Sequence, residues 1–495
     1  MKISLNPQYA IRNELYCSYI INISTTIDNR VEKGYSIEEI PPIIGFIISK
    51  FNGKDYMDTI KEIATGLNLD LQSIKNFTDK LIENKTIKEI KWNNNSIYFP
   101  MYLLIKEEIK ANVRFHKEYT AFADFKPHRP TIPFNVNLMI TTKCKTDCIY
   151  CYADRNKKND LKLNNVLKII DEAYILGVVN FTITGGDIFA NKNWRIILQR
   201  LISYGYKPFI STKIPLTEIE IQFLVSLGIN EIQFSLDSII PIELSKIIRV
   251  KSIYVDNVKN MFLYCNKHGL KLNIRTVLTR FNSSIESMDI LMSELKKFSI
   301  IQSWILTPAF YSPYKEHYQI YSANEAQLNT LMIFFRTQKS NFYIYYNNVQ
   351  DKLKASNDLF LSEKDFVQKN KSCNANSYSL SIISNGKVSI CEMLYENDFF
   401  IIGDIKEKSL FKVWNSKKAL DLYKGKLDLL LKQTIHSSQI EESPCTKCDF
   451  LTKCKKENSK KICYVDIVNI HGTGKYNFPD PRCPKALFVD KSLMI

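Results

Sequence analysis

The stretch Thr-Thr-Lys-Cys-Lys-Thr-Asp-Cys-Ile-Tyr-Cys-Tyr, residues 141–152, places Cys144, Cys148 and Cys151 on one short segment. Their C-x3-C-x2-C spacing offers three thiolates to one [4Fe–4S] cluster, and such a cluster contains four irons. One iron is then left without a cysteine ligand and is open to a small molecule. A zinc site usually takes four ligands from paired C-x2-C units, so the triplet favours an iron–sulfur cluster over zinc.

A parallel α/β core is predicted around this stretch, because residues 133–310 alternate short apolar runs with helical patterns. The predicted strands cover residues 134–141, 180–184, 207–211, 231–235, 271–277 and 303–306. The predicted helices lie near residues 163–176, 192–204, 216–227, 254–268 and 284–297. Repeated βα units imply right-handed crossovers and a parallel sheet, here an incomplete (β/α)6 TIM-like barrel. The cysteines follow the first strand, at the C-terminal strand ends where barrel sites lie.

The triplet, with the aromatic Tyr150 before its third cysteine, resembles the C-x3-C-x-Φ-C signature of the radical S-adenosylmethionine (SAM) enzymes. The resemblance implies that SAM binds the open iron and is cleaved to methionine and a 5′-deoxyadenosyl radical. It also implies SAM contacts from residues that follow successive strands. These residues are Tyr150, Gly185, Gly186, Asp187, Ser211, Lys213, Ser235, Asp237 and Arg249. Asp187 stands where the family usually has Glu, and Arg275 is a further candidate.

Length and composition fit a multidomain enzyme, and neither nucleic acid nor a membrane is expected as a partner. The 495 residues predict about three domains. The net charge of +16 lies wholly in residues 101–495, because residues 1–100 carry 12 basic and 12 acidic residues. No apolar run is long enough to cross a bilayer, and the first residues lack the apolar segment of a signal peptide. Twelve cysteines without export signals indicate metal ligation in a reducing cytoplasm.

Residues 1–100 predict a small winged-helix module, followed by a linker over residues 101–132. The predicted elements are a strand or hairpin over residues 19–31, helices over 36–51, 56–65 and 71–83, and a strand pair over 86–90 and 96–99. Their order and the run Phe51-Asn52-Gly53-Lys54 resemble the leader-peptide-binding (PqqD-like) domain known from pyrroloquinoline quinone biosynthesis. In that family a leader adds as an extra strand to an exposed sheet edge, expected here at residues 19–26. A winged-helix DNA binder is the alternative, which the zero net charge of the module disfavours.

Seven further cysteines follow the core, in residues 373–495, after a bridging region over residues 311–372. They resemble the SPASM domain, which carries auxiliary [4Fe–4S] clusters in peptide-modifying radical SAM enzymes. The resemblance implies an outer cluster on Cys445, Cys448, Cys454 and Cys483, and an inner cluster on Cys373, Cys391 and Cys463. Asn385-Gly386 predicts a hairpin turn between Cys373 and Cys391. Cys17 and Cys265 are expected to be structural thiols.

The inner set departs from the family, whose C-x5-C-x3-C becomes C-x5-C-x8-C here, with Asn458 in the place of the expected cysteine. The inner cluster is then expected to keep one iron without a cysteine, which could bind a thiolate of a substrate peptide. A zinc ribbon is the alternative for the paired cysteines.

The modules together resemble maturases of ribosomally synthesised peptides, most closely the subtilosin-type sactipeptide maturases. The similarity includes Ile-Thr-Gly-Gly-Asp-Ile-Phe (183–189) and Ser-Leu-Asp-Ser (235–238). It implies intramolecular Cys thioether crosslinks in a precursor peptide, three [4Fe–4S] clusters and an electron donor such as flavodoxin or ferredoxin. The alternatives are a carbon–carbon or ether crosslink, Cα epimerisation, or a peptide-binding or regulatory protein with degenerate clusters. No catalytic acid or base is identified, since none of the six histidines lies in a catalytic motif.

Overall fold

A computed structural model of the chain describes most of its residues. The described ranges are 1–23, 37–92, 95–109, 124–126, 128–153, 160–312, 317–346, 362–369, 373–394, 397–426, 443–457, 462–486 and 494. The chain divides into two units. The first comprises Met1–Phe134 with Tyr174–Asn180, and the second comprises Asn135–Ala173 with Phe181–Ile495.

The first unit contains small antiparallel sheets and short helices. Its strands are β1 (Lys2–Leu5), β2 (Tyr9–Asn13), β3 (Ser18–Asn22), β4 (Ile37–Ile40), β5 (Asn52–Asp55), β6 (Lys88–Trp92), β7 (Asn95–Phe99) and β8 (Leu104–Ile105). Its helices are α1 (Pro42–Ser49), α2 (Tyr56–Leu67) and α3 (Leu71–Asp79). The sheet orders are β2-β3-β4, β5-β1-β8 and β6-β7. Asp55 and Asp70 begin α2 and α3 by accepting backbone N–H bonds, the usual role of an N-cap aspartate.

Two sequence predictions in this unit are corrected by the structure. The helix predicted over residues 36–51 is β4 followed by α1. Pro41 and Pro42 cause the difference, because a residue before proline avoids helical geometry while proline suits the first helical position. The edge expected at residues 19–26 is wrong for its described part, since β3 pairs with β2 on one side and β4 on the other. Residues 24–26 of that prediction lie outside the described residues.

The second unit begins with repeated βα units, as predicted. Its first strands are β9 (Asn135–Met139), β10 (Asn180–Thr184), β11 (Ser211–Thr212), β12 (Glu231–Ser235), β13 (Lys271–Leu278), β14 (Ile301–Pro308) and β15 (Tyr343–Tyr346). The helices among them are α4 (Leu163–Leu176), α5 (Trp194–Ser203), α6 (Glu218–Ser226), α7 (Pro241–Ile247), α8 (Ile253–His268), α9 (Ile285–Leu295), α10 (Tyr318–Tyr321) and α11 (Glu325–Arg336). β11 to β15 are parallel and lie side by side in chain order. The α/β class of the core is therefore confirmed, and β15 is a strand that the sequence did not predict.

The C-terminal third shares a sheet with the start of the core. Its elements are α12 (Glu363–Lys369), β16 (Ser379–Ile382), β17 (Lys387–Ser389), β18 (Ile401–Asp404), α13 (Leu410–Trp414), α14 (Lys417–Tyr423) and α15 (Tyr464–His471). β16 pairs parallel with β9 and antiparallel with β17, which in turn pairs with β18. The predicted turn joins β16 to β17, and Gly386 has φ +95° there, a conformation that favours glycine. The strand that leads to Cys144 thus lies beside the strand that follows Cys373.

Among the helices of the described ranges, none has the length and apolar character needed to cross a bilayer.

Candidate functional site

The loop that carries the cysteine triplet follows β9 and is anchored on the end of α7. The backbone N–H groups of Asp147 and Ile149 donate to the carbonyls of Ile248 (2.9 Å) and Ile247 (3.0 Å). Thr146 Oγ1 lies 3.2 Å from Cys144 Sγ and 3.6 Å from Cys148 Sγ. Cys144, Cys148 and Cys151 are partly buried free thiols, so three soft ligands are available from one fixed loop.

The Gly185-Gly186 pair packs directly against the start of this loop. The backbone N–H groups of Gly186 and Asp187 donate to the carbonyls of Thr141 (2.8 Å) and Lys143 (2.8 Å). A Cβ atom on Gly186 would lie 2.2 Å from the Lys143 carbonyl oxygen, and one on Gly185 would lie 2.5 Å from that of Thr141. The two glycines are therefore required by a close approach of backbone to backbone.

Asp187 joins the ends of β10 and β11. Its Oδ2 accepts hydrogen bonds from Thr212 Oγ1 (2.8 Å) and the Lys213 backbone N–H (2.9 Å). Its Oδ1 accepts from the Phe189 backbone N–H (3.1 Å). Burial raises the pKa of Asp187, although these hydrogen bonds act against the shift. The resemblance predicts that Asp187 holds the methionine amino group of SAM, whereas in this structure both carboxylate oxygens bind the chain itself.

Three predicted site residues from separate segments meet in one buried cluster: Tyr150, Lys213 and Asp237. Tyr150 Oη donates to Asp237 Oδ2 (2.5 Å), and Lys213 Nζ donates to the same oxygen (2.8 Å) and to Tyr150 Oη (3.0 Å). Asp237 also accepts a hydrogen bond from the Val277 backbone N–H (3.0 Å). Burial acts to lower the pKa of Lys213, but Asp237 and Cys148 outweigh it, so the pKa is raised. The result is a fixed ammonium beside the cysteine loop.

The neighbouring strands β11, β12 and β13 supply further polar groups. Gln233 Nε2 donates to Ser211 Oγ (2.7 Å) and lies 3.5 Å from Ser235 Oγ. Ser235 is opposite Arg275 in the parallel register. The Nε–H of Arg275 is buried and has no acceptor among the described residues, and burial lowers the pKa of this guanidinium. Buried donors normally have an acceptor, so a polar ligand would complete this site.

Arg249 lies apart from that cluster. It adopts a left-handed backbone conformation with φ 55°. Its half-exposed guanidinium forms an ion pair with Asp147, between Cys144 and Cys148, with 2.8 Å from Nη1 to Oδ2. The resemblance predicts a contact with the SAM carboxylate, whereas the structure places Arg249 as a support of the cysteine loop.

Three residues that the sequence did not single out connect the cysteine loop with Cys391. Asn137 Nδ2, on β9, donates to Glu392 Oε2 (2.5 Å), and burial raises the pKa of Glu392. Partial burial raises the pKa of Tyr152, directly after Cys151, well above the ordinary value, and the charges of Glu392, Cys151 and Cys391 add to the shift. The only sequence signal was adjacency, since Tyr152 and Glu392 each follow a predicted ligand.

The predicted inner ligands Cys373, Cys391 and Cys463 have neighbours in common. Burial raises the pKa of Cys391 to about 12, and the charge of Cys373 adds to the shift. Burial also raises the pKa of Cys463 well above its usual range, Asp466 and Asp480 raise it further, and Arg482 opposes them. Burial raises the pKa of Cys373 as well, while Arg482 acts to lower it and Asp466 to raise it. Asn458, the position of the missing cysteine, lies outside the described residues.

The four predicted outer ligands line one pocket. The pocket residues include Cys445, Cys448, Cys454 and Cys483, with apolar walls from Phe366, Phe450, Leu451 and Ile462. In the described part of the chain, no three His, Cys, Asp or Glu side chains are close enough to hold a single metal ion. Four thiols on one apolar pocket fit a [4Fe–4S] cluster, which takes one thiolate on each iron.

Comparison with known proteins supports the same assignment. Residues 138–288 match the model of the radical SAM superfamily, and residues 373–449 match the model of SPASM, an iron-sulfur cluster-binding domain. The chain is therefore a radical SAM enzyme with a SPASM domain, and SAM and [4Fe–4S] clusters are its implied cofactors.

Individual proteins resemble the chain to different extents. It is 22% identical over 289 residues to the uncharacterized protein MJ0907 of Methanocaldococcus jannaschii, covering 56% of this chain and 90% of that protein. It is 34% identical over 80 residues to an S-adenosylmethionine-dependent nucleotide dehydratase of Selenomonas ruminantium, covering 16% of this chain and 29% of that protein. Crystal structures of Streptococcus suis SuiB resemble it in fold. SuiB bound to the precursor peptide SuiA has a TM-score of 0.60 at 16% identity, covering 97% of this chain and 100% of SuiB.

Proposed function

We propose that this enzyme modifies a ribosomally synthesised precursor peptide and joins a Cys sulfur to a carbon of another residue in intramolecular thioether crosslinks. The observation that carries the proposal is the unequal sharing of the seven C-terminal cysteines. Four of them line one pocket, which leaves Cys373, Cys391 and Cys463 for the inner cluster. Three ligands leave one iron open, which suits a substrate thiolate. SuiB, whose fold is similar, was crystallised with a precursor peptide.

The proposal assigns SAM and its cluster to Cys144, Cys148, Cys151 and the polar groups around them. When bound, SAM and the clusters supply a hydrogen-abstracting radical and an acceptor for the electron left over. The chain's own residues position these groups. Gly185 and Gly186 fix the loop, and Lys213 places a buried positive charge beside its thiolates. Arg275 offers an unused N–H donor inside the core. Burial of these groups excludes water, which strengthens every charge interaction among them.

The first unit is proposed to bind the leader of the precursor. The proposed boundaries are residues 1–100 for this domain, 101–132 for a linker, 133–310 for the radical SAM core, 311–372 for a bridging region and 373–495 for SPASM. β2 and β4 are the outer strands of their sheet as described, and β2 is buried along its length whereas β4 is partly accessible. We therefore place leader addition at β4. Burial and the charge of Glu39 raise the pKa of Glu38 on this strand to about 7, so its attraction for a basic leader grows as the pH rises above that value.

An acidic one-electron donor such as flavodoxin or ferredoxin suits the basic residues 101–495.

Replacement of one triplet cysteine tests the radical part of this proposal. Cys144→Ala is expected to abolish formation of 5′-deoxyadenosine, because a cluster with two cysteines is not held at the loop. Binding of a fluorescent leader peptide should be unchanged, since the leader is assigned to the first unit. Cys265→Ala is the matched control, because Cys265 is a fully buried core thiol and should leave SAM cleavage intact. If Cys144→Ala formed 5′-deoxyadenosine at the rate of the unsubstituted enzyme, the site would be misassigned.

A further inference from the structure

Asp480 is bonded to the backbone of a predicted ligand of each auxiliary cluster. Its Oδ2 accepts the backbone N–H of Cys463, an inner ligand, at 2.9 Å. Its carbonyl oxygen accepts the backbone N–H of Cys483, an outer ligand, at 2.8 Å. The residue also lines the outer pocket. A single residue, through its side chain and its backbone carbonyl, therefore contacts both predicted sites.

Arg482 joins this carboxylate to a second one, Asp466. Arg482 donates from Nε to Asp480 Oδ1 (2.8 Å), and from Nη2 to Asp480 Oδ2 (3.0 Å) and to Asp466 Oδ2 (2.9 Å). The Asp466 and Asp480 side chains are 1% exposed and that of Arg482 is 30% exposed. Burial acts to lower the pKa of Arg482, but the two carboxylates outweigh it and raise the pKa. The group thus holds two negative charges and one positive charge in a poorly solvated place.

These charges lie close to the predicted inner ligand Cys463. Asp480 Oδ2 accepts the Cys463 backbone N–H, and Asp466 lies in the first turn of α15, which begins directly after Cys463. Arg482 binds both carboxylates. A charge that stabilises or destabilises a thiolate acts in the same direction on added negative charge in a cluster bound there. The reduction potential of an iron–sulfur cluster depends on nearby charge, hydrogen bonds and exposure.

We propose that Arg482, Asp466 and Asp480 are positioning residues that set the reduction potential of the inner auxiliary cluster without binding iron. The inference rests on the proposed function, because it takes Cys373, Cys391 and Cys463 as the ligands of that cluster. Arg482 favours the reduced cluster and Asp466 disfavours it. The alternative is a purely structural ion pair, which is a weak source of stability when it is buried.

The test is a redox titration of the reconstituted full-length enzyme, followed by electron paramagnetic resonance. The Cys144→Ala background removes the signal of the SAM cluster, and Cys463→Ala identifies the inner signal by its loss. Arg482→Gln should lower the inner potential and Asp466→Asn should raise it. Each change should alter the ratio of oxidised to reduced cluster at fixed potential by tenfold or more. For a one-electron couple this corresponds to a shift of the reduction potential of about 59 mV or more. Arg482→Lys should keep the inner reduction potential close to that of the enzyme with Arg482, because lysine retains the positive charge. Lys267→Gln, which removes an exposed positive charge on α8, should change nothing.

The outcomes separate this inference from the function on which it rests. Opposite shifts at constant iron content support the inference. Unchanged potentials, or shifts of the same sign, overturn it and leave the proposed function intact. If Arg482→Gln loses iron, Asp466→Asn decides alone: a positive shift supports the inference and no shift overturns it. In the enzyme that keeps Cys144, iron near eight instead of about twelve per chain, with no iron lost in Cys463→Ala, overturns both.

Discussion

At the scale of single residues, the site depends on close contacts that a substitution would disrupt. Gly186 lies against the Lys143 carbonyl, and Lys213 places its ammonium between Asp237 and Tyr150. The sequence predicted these residues through their position after strands, and the structure explains the glycines by backbone packing. Arg275 was already a candidate, whereas Glu392 and Arg482 could not be identified as partners from sequence. Glu392, for example, bonds to Asn137 across 255 positions of chain, and no local pattern records such a contact.

Substitution of Gly186 tests the backbone contact at the cysteine loop. Gly186→Ala should lower stability by roughly 1–3 kcal/mol, because the added Cβ would overlap the Lys143 carbonyl, which the Asp187 backbone N–H holds in place. The displaced loop should also bind less iron. Gly66→Ala is the control, since Gly66 lies in α2 with open space around its Cβ position. That change should stabilise by about 0.5–1 kcal/mol. Thermal unfolding and iron content measure both effects, and equal behaviour of the two variants would refute the explanation.

At the scale of elements, the strand and helix predictions succeed where the apolar pattern is regular. Strands β10 and β12 and helix α4 match their predicted ranges at both ends. β11 covers Ser211–Thr212, a shorter strand than the predicted 207–211. α1 begins later than predicted because two prolines interrupt the pattern. β15 was missed because its identity as a strand depends on pairing with β14, which a short run of tyrosines does not reveal. The pairing of β16 with β9 could not be predicted for the same reason.

We expect the connection from the β2–β3 turn to the segment before β9 to depend on pH. Glu14 in the turn lies 3.0 Å from His128 Nε2 and accepts the Thr131 N–H at 3.0 Å. The hydrogen bond to Glu14 raises the pKa of His128, although burial opposes the shift. A raised pKa in the folded state means that the stabilisation is complete below about 6.5 and is lost as pH rises through the folded value. We expect this ion pair to contribute about 0.5–1 kcal/mol to the free energy of unfolding.

Hydrogen exchange of residues 128–134 at two pH values measures this effect. Exchange should be slower at pH 6 than at pH 8.5, after correction for the intrinsic rate. His128→Asn should remove the difference, because asparagine does not change charge in this range. An equal pH effect in His128→Asn would refute the assignment to this pair.

At the scale of the whole molecule, the proposal assigns ten of the twelve cysteines to a triplet after β9, a set of three and a set of four. Cys17 and Cys265 are fully buried in the apolar core, as the sequence predicted for structural thiols. The class of enzyme could be predicted from the triplet alone, because its spacing carries the chemistry. The substrate could not be predicted in this way, because substrate choice depends on how the first unit, the core and the auxiliary-cluster region act together on a second molecule. The proposed thioether chemistry therefore has to be tested on the peptide.

The most direct test is the mass of a precursor peptide after reaction with the enzyme. The peptide is taken from the reading frames beside the gene, and the full-length enzyme is supplied with SAM and a reductant. The account predicts the loss of two hydrogen atoms for each crosslink, together with the loss of one alkylatable thiol for each. Tandem mass spectrometry should locate the bond between a cysteine and another residue. A peptide recovered with unchanged mass and all thiols free, while 5′-deoxyadenosine accumulates, would contradict the account.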